Sequence, residues 1–312
     1  MHAVITGGAG FLGSHLADSL IARNFRVTVI DNLITGQLRN LAHLEGNPNL
    51  VFVQHDVADP FDVDGPVDFI FHFASPASPA EFKRIPVEVL RCGSFATHHG
   101  LDLAERKGAT FFLASTSEVY GDPIVHPQPE TYWGNVNSVG PRACYDEGKR
   151  YAEAATVTYR DYRGVQVRIA RFFNTYGPRM RMDDGRVVPN FIRQALMGEP
   201  LTIYGEGHQT RSFGYYEDIL DGVVRLALSD YQDPVNFGTH QEMTMLQFAE
   251  AVSEAVGIPC RTVHYPAAED DPKQRHPDIQ RAYEVLGWQP TTSLMEGLRK
   301  TVEYYRAELN VS

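Results

Sequence analysis

Hydrophobic residues in the first half of the chain form short β-type runs that alternate with helical patterns. After the first run, Leu12, Leu16 and Leu20 recur every four residues and mark one buried helix face. Such alternation predicts a parallel sheet covered by helices on both faces, a doubly wound α/β fold. The predicted strands are His2–Thr6, Arg26–Ile30, Leu50–Gln54, Val67–Phe73, Thr110–Ala114, Val165–Phe172 and the later Pro234–Gly238.

The alternation ends at Phe172, where loops and separate helices replace it. We therefore predict two units. Residues 1–172 with about 212–239 form the sheet domain, and residues 173–211 with 240–312 form a smaller mixed C-terminal lobe. The helices predicted in this second part are Val187–Met197, Tyr216–Leu228, Thr244–Val256 and Leu294–Ala307.

Composition narrows the class of protein. The chain has 312 residues, of which 43% are apolar, as in a globular enzyme with a buried core. Its net charge of −11 and scattered basic residues argue against nucleic acid or an anionic membrane as partner. Cys92, Cys144 and Cys260 are too far apart for a disulfide framework, and the twelve histidines show no metal-ligand spacing, so no metal is predicted. No signal peptide or membrane span precedes the first strand, and we expect a cytoplasmic protein.

A glycine loop follows the first predicted strand and opens the first helix. Its glycines allow a tight turn and let backbone N–H groups at the helix N-terminus approach a pyrophosphate. Asp31 closes the second strand eighteen residues after Gly13, where a carboxylate accepts ribose hydrogen bonds and repels a 2′-phosphate. Asn32 follows, with no arginine to receive NADP, so the pattern predicts a Rossmann domain that binds NAD. The predicted cofactor contacts are Gly7, Gly10, Phe11, Leu12, Gly13, Asp31, Asn32, Thr35, Gly36, Asp56, Val57, Ala74, Tyr145 and Lys149.

Tyr145 and Lys149 are one helical turn apart, so both side chains lie on one helix face. A free tyrosine titrates near ~10, and lowering its pKa by about 3 units, or roughly 4 kcal/mol, would make it a general base. We expect Lys149 and the nicotinamide charge to supply that shift. Thr116 follows a strand at the carboxyl edge of the sheet, where its hydroxyl could bind the same substrate oxygen or merely cap the strand end.

These motifs resemble the extended short-chain dehydrogenase/reductase family and, within it, the UDP-glucuronate decarboxylases, also called UDP-xylose synthases. The likeness covers nearly the whole chain. It departs at Gly93 and Ala96, where the family usually has Asn and Gly, and this leaves open the helix geometry and a water contact behind the Tyr–Lys pair. The narrower motifs are residues 72–79, 115–123, 140–150, 173–180, 184–188 and 209–211.

The resemblance implies a redox-neutral reaction on a UDP-sugar. Oxidation at C4 of UDP-glucuronate places a ketone β to the carboxylate, CO₂ leaves, and the hydride returns to give UDP-xylose. It also implies that Ser117 and Glu118 lie near the carboxylate and that Arg211 donates the proton to C5. The implied catalytic residues are Thr116, Ser117, Glu118, Tyr145, Lys149 and Arg211. The implied substrate contacts are Arg91, Glu118, Asn174, Arg186, Val188, Tyr204, Arg211 and Arg275.

Three other functions remain to be weighed. A UDP-glucuronate 4-epimerase would share the C4 oxidation without losing CO₂, and Glu118 favours decarboxylation over it. A 4,6-dehydratase would carry an acid where Ser117 stands. A non-catalytic dinucleotide sensor would not need Tyr145, Lys149 and Thr116 together. Helices near 93–106 and 145–163 match those of a four-helix dimer interface in the family, so the resemblance implies a homodimer.

Overall fold

The computed structural model describes residues 1–267 and 272–311. Fourteen strands occur in these residues, and seven of them form one parallel sheet. The strands are β1 (His2–Thr6), β2 (Arg26–Asp31), β3 (Leu50–Gln54), β4 (Phe69–His72), β5 (Thr110–Thr116), β6 (Val167–Phe172), β7 (Thr175–Tyr176), β8 (Leu201–Tyr204), β9 (Thr210–Ser212), β10 (Gly214–Tyr215), β11 (Val235–Phe237), β12 (Glu242–Thr244), β13 (Thr262–Tyr265) and β14 (Gln274–Arg275).

The central sheet has the strand order β11-β6-β5-β4-β1-β2-β3, with every pairing parallel. This confirms the predicted doubly wound fold. β5 is two residues longer than predicted, because its pairing with β6 continues to Thr116 opposite Phe172. Thr116 is therefore the last residue of a strand, at the carboxyl edge where open α/β sheets bind ligands.

Ten α-helices in the described residues surround this sheet and build the second lobe. A π-helical turn, Cys92–Ala96, joins α3 to α4, and short 3₁₀ helices lie at Leu38–Leu44, after β2, and at Ser117–Tyr120, after β5. The helices are α1 (Phe11–Ile21), α2 (Pro79–Arg84), α3 (Pro86–Arg91), α4 (Thr97–Lys107), α5 (Ala143–Arg163), α6 (Val187–Leu196), α7 (Tyr216–Leu228), α8 (Met245–Val256), α9 (Gln280–Leu286) and α10 (Leu294–Leu309).

Separate apolar clusters hold the layers together. One covers the sheet on the side of α1 and α7, a second covers the side of α4 and α5, and a third joins α6, α8 and α10 in the smaller lobe. Trp288 belongs to the first cluster, where its indole packs 4.9 Å from the Phe237 ring and donates to the Asp218 carbonyl at 2.9 Å. Chain from the C-terminal part thus also packs against the sheet domain.

Gly93 lies in the π turn, where it packs closely against α5. A Cβ on Gly93 would lie 2.7 Å from backbone atoms of Gly148 on α5, closer than real Cβ contacts allow. Gly93 therefore lets the segment between α3 and α4 approach the helix that carries Tyr145 and Lys149.

A three-stranded sheet in the order β12-β9-β14 lies in the smaller lobe. Its register places Arg275 beside Arg211 and Met243 on the other side of Arg211. Two arginines that are 64 positions apart in the sequence are therefore neighbours on adjacent strands. Among the helices of residues 1–267 and 272–311, none is long and apolar enough to cross a membrane.

Candidate active site

A cavity of about 670 Å³ lies between the carboxyl edge of the central sheet and the smaller lobe. Each residue predicted to contact the cofactor lines it. All residues that the sequence assigns to substrate binding or catalysis, except Arg91, line the same cavity. Besides Tyr145 and Lys149, these are Thr116, Ser117, Glu118, Asn174, Arg186, Val188, Tyr204, Arg211 and Arg275. The fold therefore brings the predicted cofactor and substrate residues together around one cavity.

Arg91 does not line this cavity. It ends α3, and its guanidinium pairs with the exposed carboxylate of Asp59 at 3.1 Å. The guanidinium also lies 5.8 Å from the ring centre of Phe95. The assignment of Arg91 to the sugar is corrected for this reason: the residue makes surface contacts on the outside of the helix.

The glycine loop approaches the next strand end so closely that side chains would not fit. Gly7 has φ +71°, and a Cβ there would lie 2.6 Å from the Ala74 backbone. Asp31 is held against the loop, where its carboxylate accepts from the Ala9 N–H at 2.9 Å and the Leu33 N–H at 2.8 Å. Burial raises the pKa of Asp31, and these two hydrogen bonds oppose that shift. A loop of this shape leaves its backbone free to approach a dinucleotide phosphate, with a carboxylate at the ribose end.

Tyr145, Lys149 and Thr116 meet at the end of β5. The Lys149 ammonium donates to the Ala114 carbonyl at 2.8 Å and lies 5.8 Å from the Tyr145 ring centre. Thr116 lies close enough to the Tyr145 hydroxyl to lower the pKa of that phenol, and it accepts the Glu118 N–H at 3.2 Å. Burial lowers the pKa of Lys149 to about 8. Thr116 therefore caps the turn that follows the strand, and its contact with the substrate oxygen stays a prediction.

The protein's own groups do not lower the pKa of Tyr145. Burial raises it, and the Thr116 hydrogen bond and the Arg186 charge offset only part of that rise. The expectation that Lys149 and the nicotinamide charge together lower this pKa stays a prediction, because in the protein alone desolvation of the phenolate outweighs the nearby cations. A positive charge next to the phenol, such as that of a nicotinamide, would have to provide the shift.

Glu118 lies at the centre of a buried ion-pair cluster. Arg275 donates to both of its carboxylate oxygens, with Nη2 2.9 Å from Oε2, and Arg142 Nη2 lies 2.8 Å from Oε2. The side chains of Glu118, Arg275 and Arg142 are only 16%, 3% and 15% exposed. Burial would raise the pKa of Glu118, but the two guanidinium charges dominate and lower it. Glu118 is thus an ionised anchor for two arginines.

Asp146 lies beside this cluster and adds a second carboxyl group to it. Its Oδ2 is 3.8 Å from the Nε of Arg142. Burial, followed by repulsion from Glu118, raises the pKa of Asp146. The two guanidinium groups of this cluster line the cavity, where they can attract an anionic ligand.

The sequence does not point to Arg142 as a site residue, and it does not predict the position of Arg275 beside Glu118. Arg142 lies three residues before Tyr145 and caps the N-terminus of α5, so helical spacing from Tyr145 is the signal that could have found it. Arg275 is expected only as a substrate contact, and its guanidinium lies on Glu118 at the end of β5. Arg275 and Arg142 therefore both contact the carboxylate of Glu118.

The remaining predicted substrate contacts also line the cavity. Arg186 pairs with Asp184 and contributes positive charge near Tyr145. Asn174 and Val188 line the same wall. Tyr204 is half exposed at the end of β8, so its ring is available at the cavity wall and is not part of the core.

This fold and site define an extended short-chain dehydrogenase/reductase of the type that acts on nucleotide sugars. The family model described as GDP-mannose 4,6 dehydratase matches residues 4–301. Within that class, the chain belongs to the UDP-glucuronic acid decarboxylase family. It is 52% identical to UDP-glucuronic acid decarboxylase 1 of Xenopus tropicalis over 98% of this chain and 72% of the relative. It is equally similar to UDP-glucuronic acid decarboxylase 1 of Arabidopsis thaliana, at 52% identity over 98% of this chain and 70% of that protein.

Solved structures share the fold at lower identity. UDP-glucose 4-epimerase of Thermotoga maritima, with UDP-glucose, has a TM-score of 0.90 at 29% identity and covers 99% of this chain and 100% of its own. UDP-glucuronic acid 4-epimerase of Bacillus cereus, in complex with UDP-glucuronic acid and NAD, has a TM-score of 0.89 at 26% identity, with the same coverage. The epimerases are thus much more distant in sequence than the decarboxylases.

Proposed function

We propose that this protein converts UDP-glucuronate to UDP-xylose and CO₂, with NAD recycled in each turnover. The observation that carries the proposal is the Glu118–Arg275–Arg142 cluster, which adjoins the Tyr145 hydroxyl at the end of one strand. It puts a cationic site for a carboxylate next to a site for alcohol oxidation. A β-keto acid needs this combination, because the carboxylate is two bonds from the carbon that is oxidised.

The residues of the glycine loop fit a bound dinucleotide. The Gly7 and Gly13 positions admit no Cβ, and Asp31 is fixed at the position expected for the ribose. NAD would be held by this loop with Asp31, and it would accept a hydride from C4 of the sugar and later return it. The proposed division of the chain follows: residues 1–172 with about 212–239 bind NAD, and residues 173–211 with 240–312 hold the nucleotide sugar.

Tyr145 transfers the proton of the sugar C4 hydroxyl, and Thr116 lies beside the Tyr145 hydroxyl. Lys149, fixed by the Ala114 carbonyl, adds positive charge behind the ring and supports the phenolate. Tyr145 takes the C4 hydroxyl proton during oxidation and gives it back when the ketone is reduced. This half of the reaction would be common to the decarboxylase and the epimerases.

The ion-pair cluster provides the binding site for the carboxylate of the sugar. Arg275 and Arg142 bind it electrostatically, while Glu118 holds both guanidinium groups in place and Ser117 lines the cavity next to it. After CO₂ leaves, the enolate needs a proton at C5. The resemblance assigns this proton to Arg211, and β9 and β14 place Arg275 beside it. Comparing Arg211→Lys with Arg275→Lys for solvent deuterium incorporation at C5 separates the two assignments.

Product analysis tests the proposal directly. Purified protein is incubated with UDP-glucuronate, and the nucleotide products are analysed by mass and by NMR while NADH absorbance is followed. We expect the product mass to fall by one CO₂, no net NADH, and loss of turnover in Tyr145→Phe. A product of unchanged mass with inverted C4 would establish the 4-epimerase instead, and no turnover of any UDP-sugar would refute the enzymatic assignment.

We further propose a homodimer that works in the cytoplasm. Val87, Leu90, Phe95 and Tyr151 lie on α3, the π turn and α5 and are exposed by 64%, 46%, 55% and 46%. A second copy of this helix pair would cover that apolar surface. Light scattering should give twice the chain mass, and Leu90→Asp should shift it toward the monomer; a wild-type monomer at micromolar concentration would refute the dimer.

A further inference from the structure

Two histidines and a glutamate meet on the small sheet outside the cavity. His126 precedes α5 in a long loop, Glu242 opens β12, and His276 follows β14. Their potential ligand atoms all lie within 4.8 Å of one another. We propose that these residues form a site for a divalent transition-metal ion, with zinc as the best match.

The distances fit tetrahedral coordination. Glu242 Oε2 lies 3.0 Å from His126 Nε2 and 3.9 Å from His276 Nδ1. Two ligands at about 2.0–2.1 Å from a tetrahedral zinc ion are roughly 3.3 Å apart, a value between these two separations. Small side-chain movements would therefore suffice. Imidazole and carboxylate together suit zinc better than calcium or magnesium, which prefer oxygen ligands alone.

The hydrogen bonds of His276 orient it as a ligand. Its Nε2 lies 3.0 Å from the His240 carbonyl, and a carbonyl can only accept, so Nε2 carries the proton. In the neutral ring Nδ1 then presents a lone pair toward the Glu242 carboxylate. Two acceptors that face each other repel, and a cation between them removes the repulsion. An N–H donated to a backbone carbonyl is also the usual support of a metal-binding histidine.

Glu242 is supported in a similar way. Its other oxygen, Oε1, accepts the hydroxyl of Thr210 on β9, which leaves Oε2 for the ion. His126 is the more adaptable ligand: its Nε2 now faces Glu242, and its Nδ1 has only a long 3.4 Å contact with Gln128. Metal on Nε2 would move the proton to Nδ1 and break that contact. The three side chains are 29%, 25% and 18% exposed, so an ion can enter from solvent.

The position of the site suggests a structural role that goes beyond the proposed reaction. His276 directly follows Arg275, and Glu242 pairs across β12 and β9 with Ser212, the neighbour of Arg211. A bound ion would therefore join the loop at His126 to the two strands that flank the strand of Arg211. The sequence suggested no metal because the ligands are up to 150 positions apart and only the fold assembles them.

Zinc titration of the full-length protein tests the site. A fluorescent chelator competes for Zn²⁺, and Co²⁺ substitution reports tetrahedral geometry through its visible absorption. We expect one ion per chain and at least about a hundredfold weaker binding in His276→Asn, Glu242→Gln and His126→Asn. Thr210→Val should weaken binding by about 10–100-fold, as expected for a residue that supports a ligand. His264→Asn, which removes an exposed histidine bonded to Gly205, should bind like the wild type.

Two results would overturn the metal site. The wild type could bind no stoichiometric zinc, in which case the cluster is an ordinary histidine–glutamate pair. Alternatively, binding could survive in the His276→Asn/Glu242→Gln double variant, in which case the ion sits elsewhere. His126→Asn changes an exposed side chain and serves if the other variants fail to fold. Turnover of UDP-glucuronate in metal-free buffer is measured separately, so that failure of the metal site and failure of the proposed function are distinguishable.

Discussion

The buried cluster at Glu118 makes a quantitative prediction about Glu118→Gln. The substitution leaves Arg275 and Arg142 without their shared carboxylate, although the Gln side chain keeps one acceptor oxygen. Removing one partner of a buried ion pair costs about 3–5 kcal/mol. Because Gln still accepts one hydrogen bond, we expect the lower end, about 3 kcal/mol, which corresponds to a fall in Tm of roughly 5 °C for a chain of this size.

Glu147→Gln is the matched control for that change. Glu147 lies on the same helix as Tyr145 and pairs with Arg150 at 3.6 Å, but its side chain is 36% exposed. An exposed pair of this kind contributes about 0–1 kcal/mol, so Glu147→Gln should leave Tm nearly unchanged. Thermal unfolding of both variants without ligand gives the comparison.

A double-mutant cycle then assigns the effect to the arginine. Glu118→Gln, Arg275→Met and the double variant should show a coupling of about 1–3 kcal/mol. The reasoning fails if the two changes are additive, or if Glu118→Gln destabilises no more than Glu147→Gln.

The pH dependence of Glu118→Gln gives a second check. The folded-state pKa of Glu118 lies below its ordinary value of 4.5, so its stabilisation is complete above that value and is lost as the pH falls toward the folded pKa. The stability gap between wild type and Glu118→Gln should therefore be constant near neutral pH and narrow below about pH 4.5. Product assays on the same variant should show strongly reduced CO₂ release.

Three further predictions concern the cavity and its supports. Gly93→Ala should destabilise the protein by about 1–3 kcal/mol, because the new Cβ would meet the Gly148 backbone at 2.7 Å; a Tm equal to that of the wild type would contradict the close packing. Asp31→Asn should improve binding of NADPH relative to NADH by roughly tenfold, or 1.4 kcal/mol, since a charge that repels a 2′-phosphate is removed, and an unchanged ratio by fluorescence titration would argue against that role. Lys149 has a folded pKa of about 8, below its ordinary 10.5. Between pH 8 and 10.5 the unfolded chain therefore binds this proton more tightly than the folded chain does. The contribution of Lys149 to stability rises with pH across this range. Lys149→Met should remove that rise in denaturant unfolding from pH 7 to 10, and parallel curves for the two proteins would contradict the buried lysine.

The parts of the site that the sequence predicts lie at strand ends. Asp31 and Thr116 end β2 and β5, and the carboxyl ends of parallel strands meet at one edge of a sheet. Hydrophobic periodicity defines those ends to within two residues. The two residues were therefore predictable neighbours of a ligand without any knowledge of the tertiary contacts.

The other parts depend on packing that no local pattern records. Arg275 reaches Glu118 across 157 positions, and a guanidinium in a lobe of short strands carries no signal of its partner. The pKa of Tyr145 depends on how completely the phenol is buried, which follows from the final positions of α2 and α5. For Arg91 the difference is the reverse. The resemblance implies a substrate contact, whereas the side chain lies on the outer face of α3 and pairs with Asp59.

The same cluster explains why this site would decarboxylate its ketone rather than invert it. An epimerase must let the 4-keto sugar present its other face to the hydride donor, so the sugar has to turn within the cavity. Arg142 on α5 and Arg275 on β14 are both fixed to Glu118, and a sugar carboxylate bound between them could turn only by breaking its ion pairs with both. Loss of CO₂ requires no such rotation. Because Glu118 already takes up part of the arginine charge, a carboxylate bound there would be oriented without being stabilised as strongly as two unpaired guanidinium groups would stabilise it. Less ground-state binding would then have to be given up when CO₂ leaves.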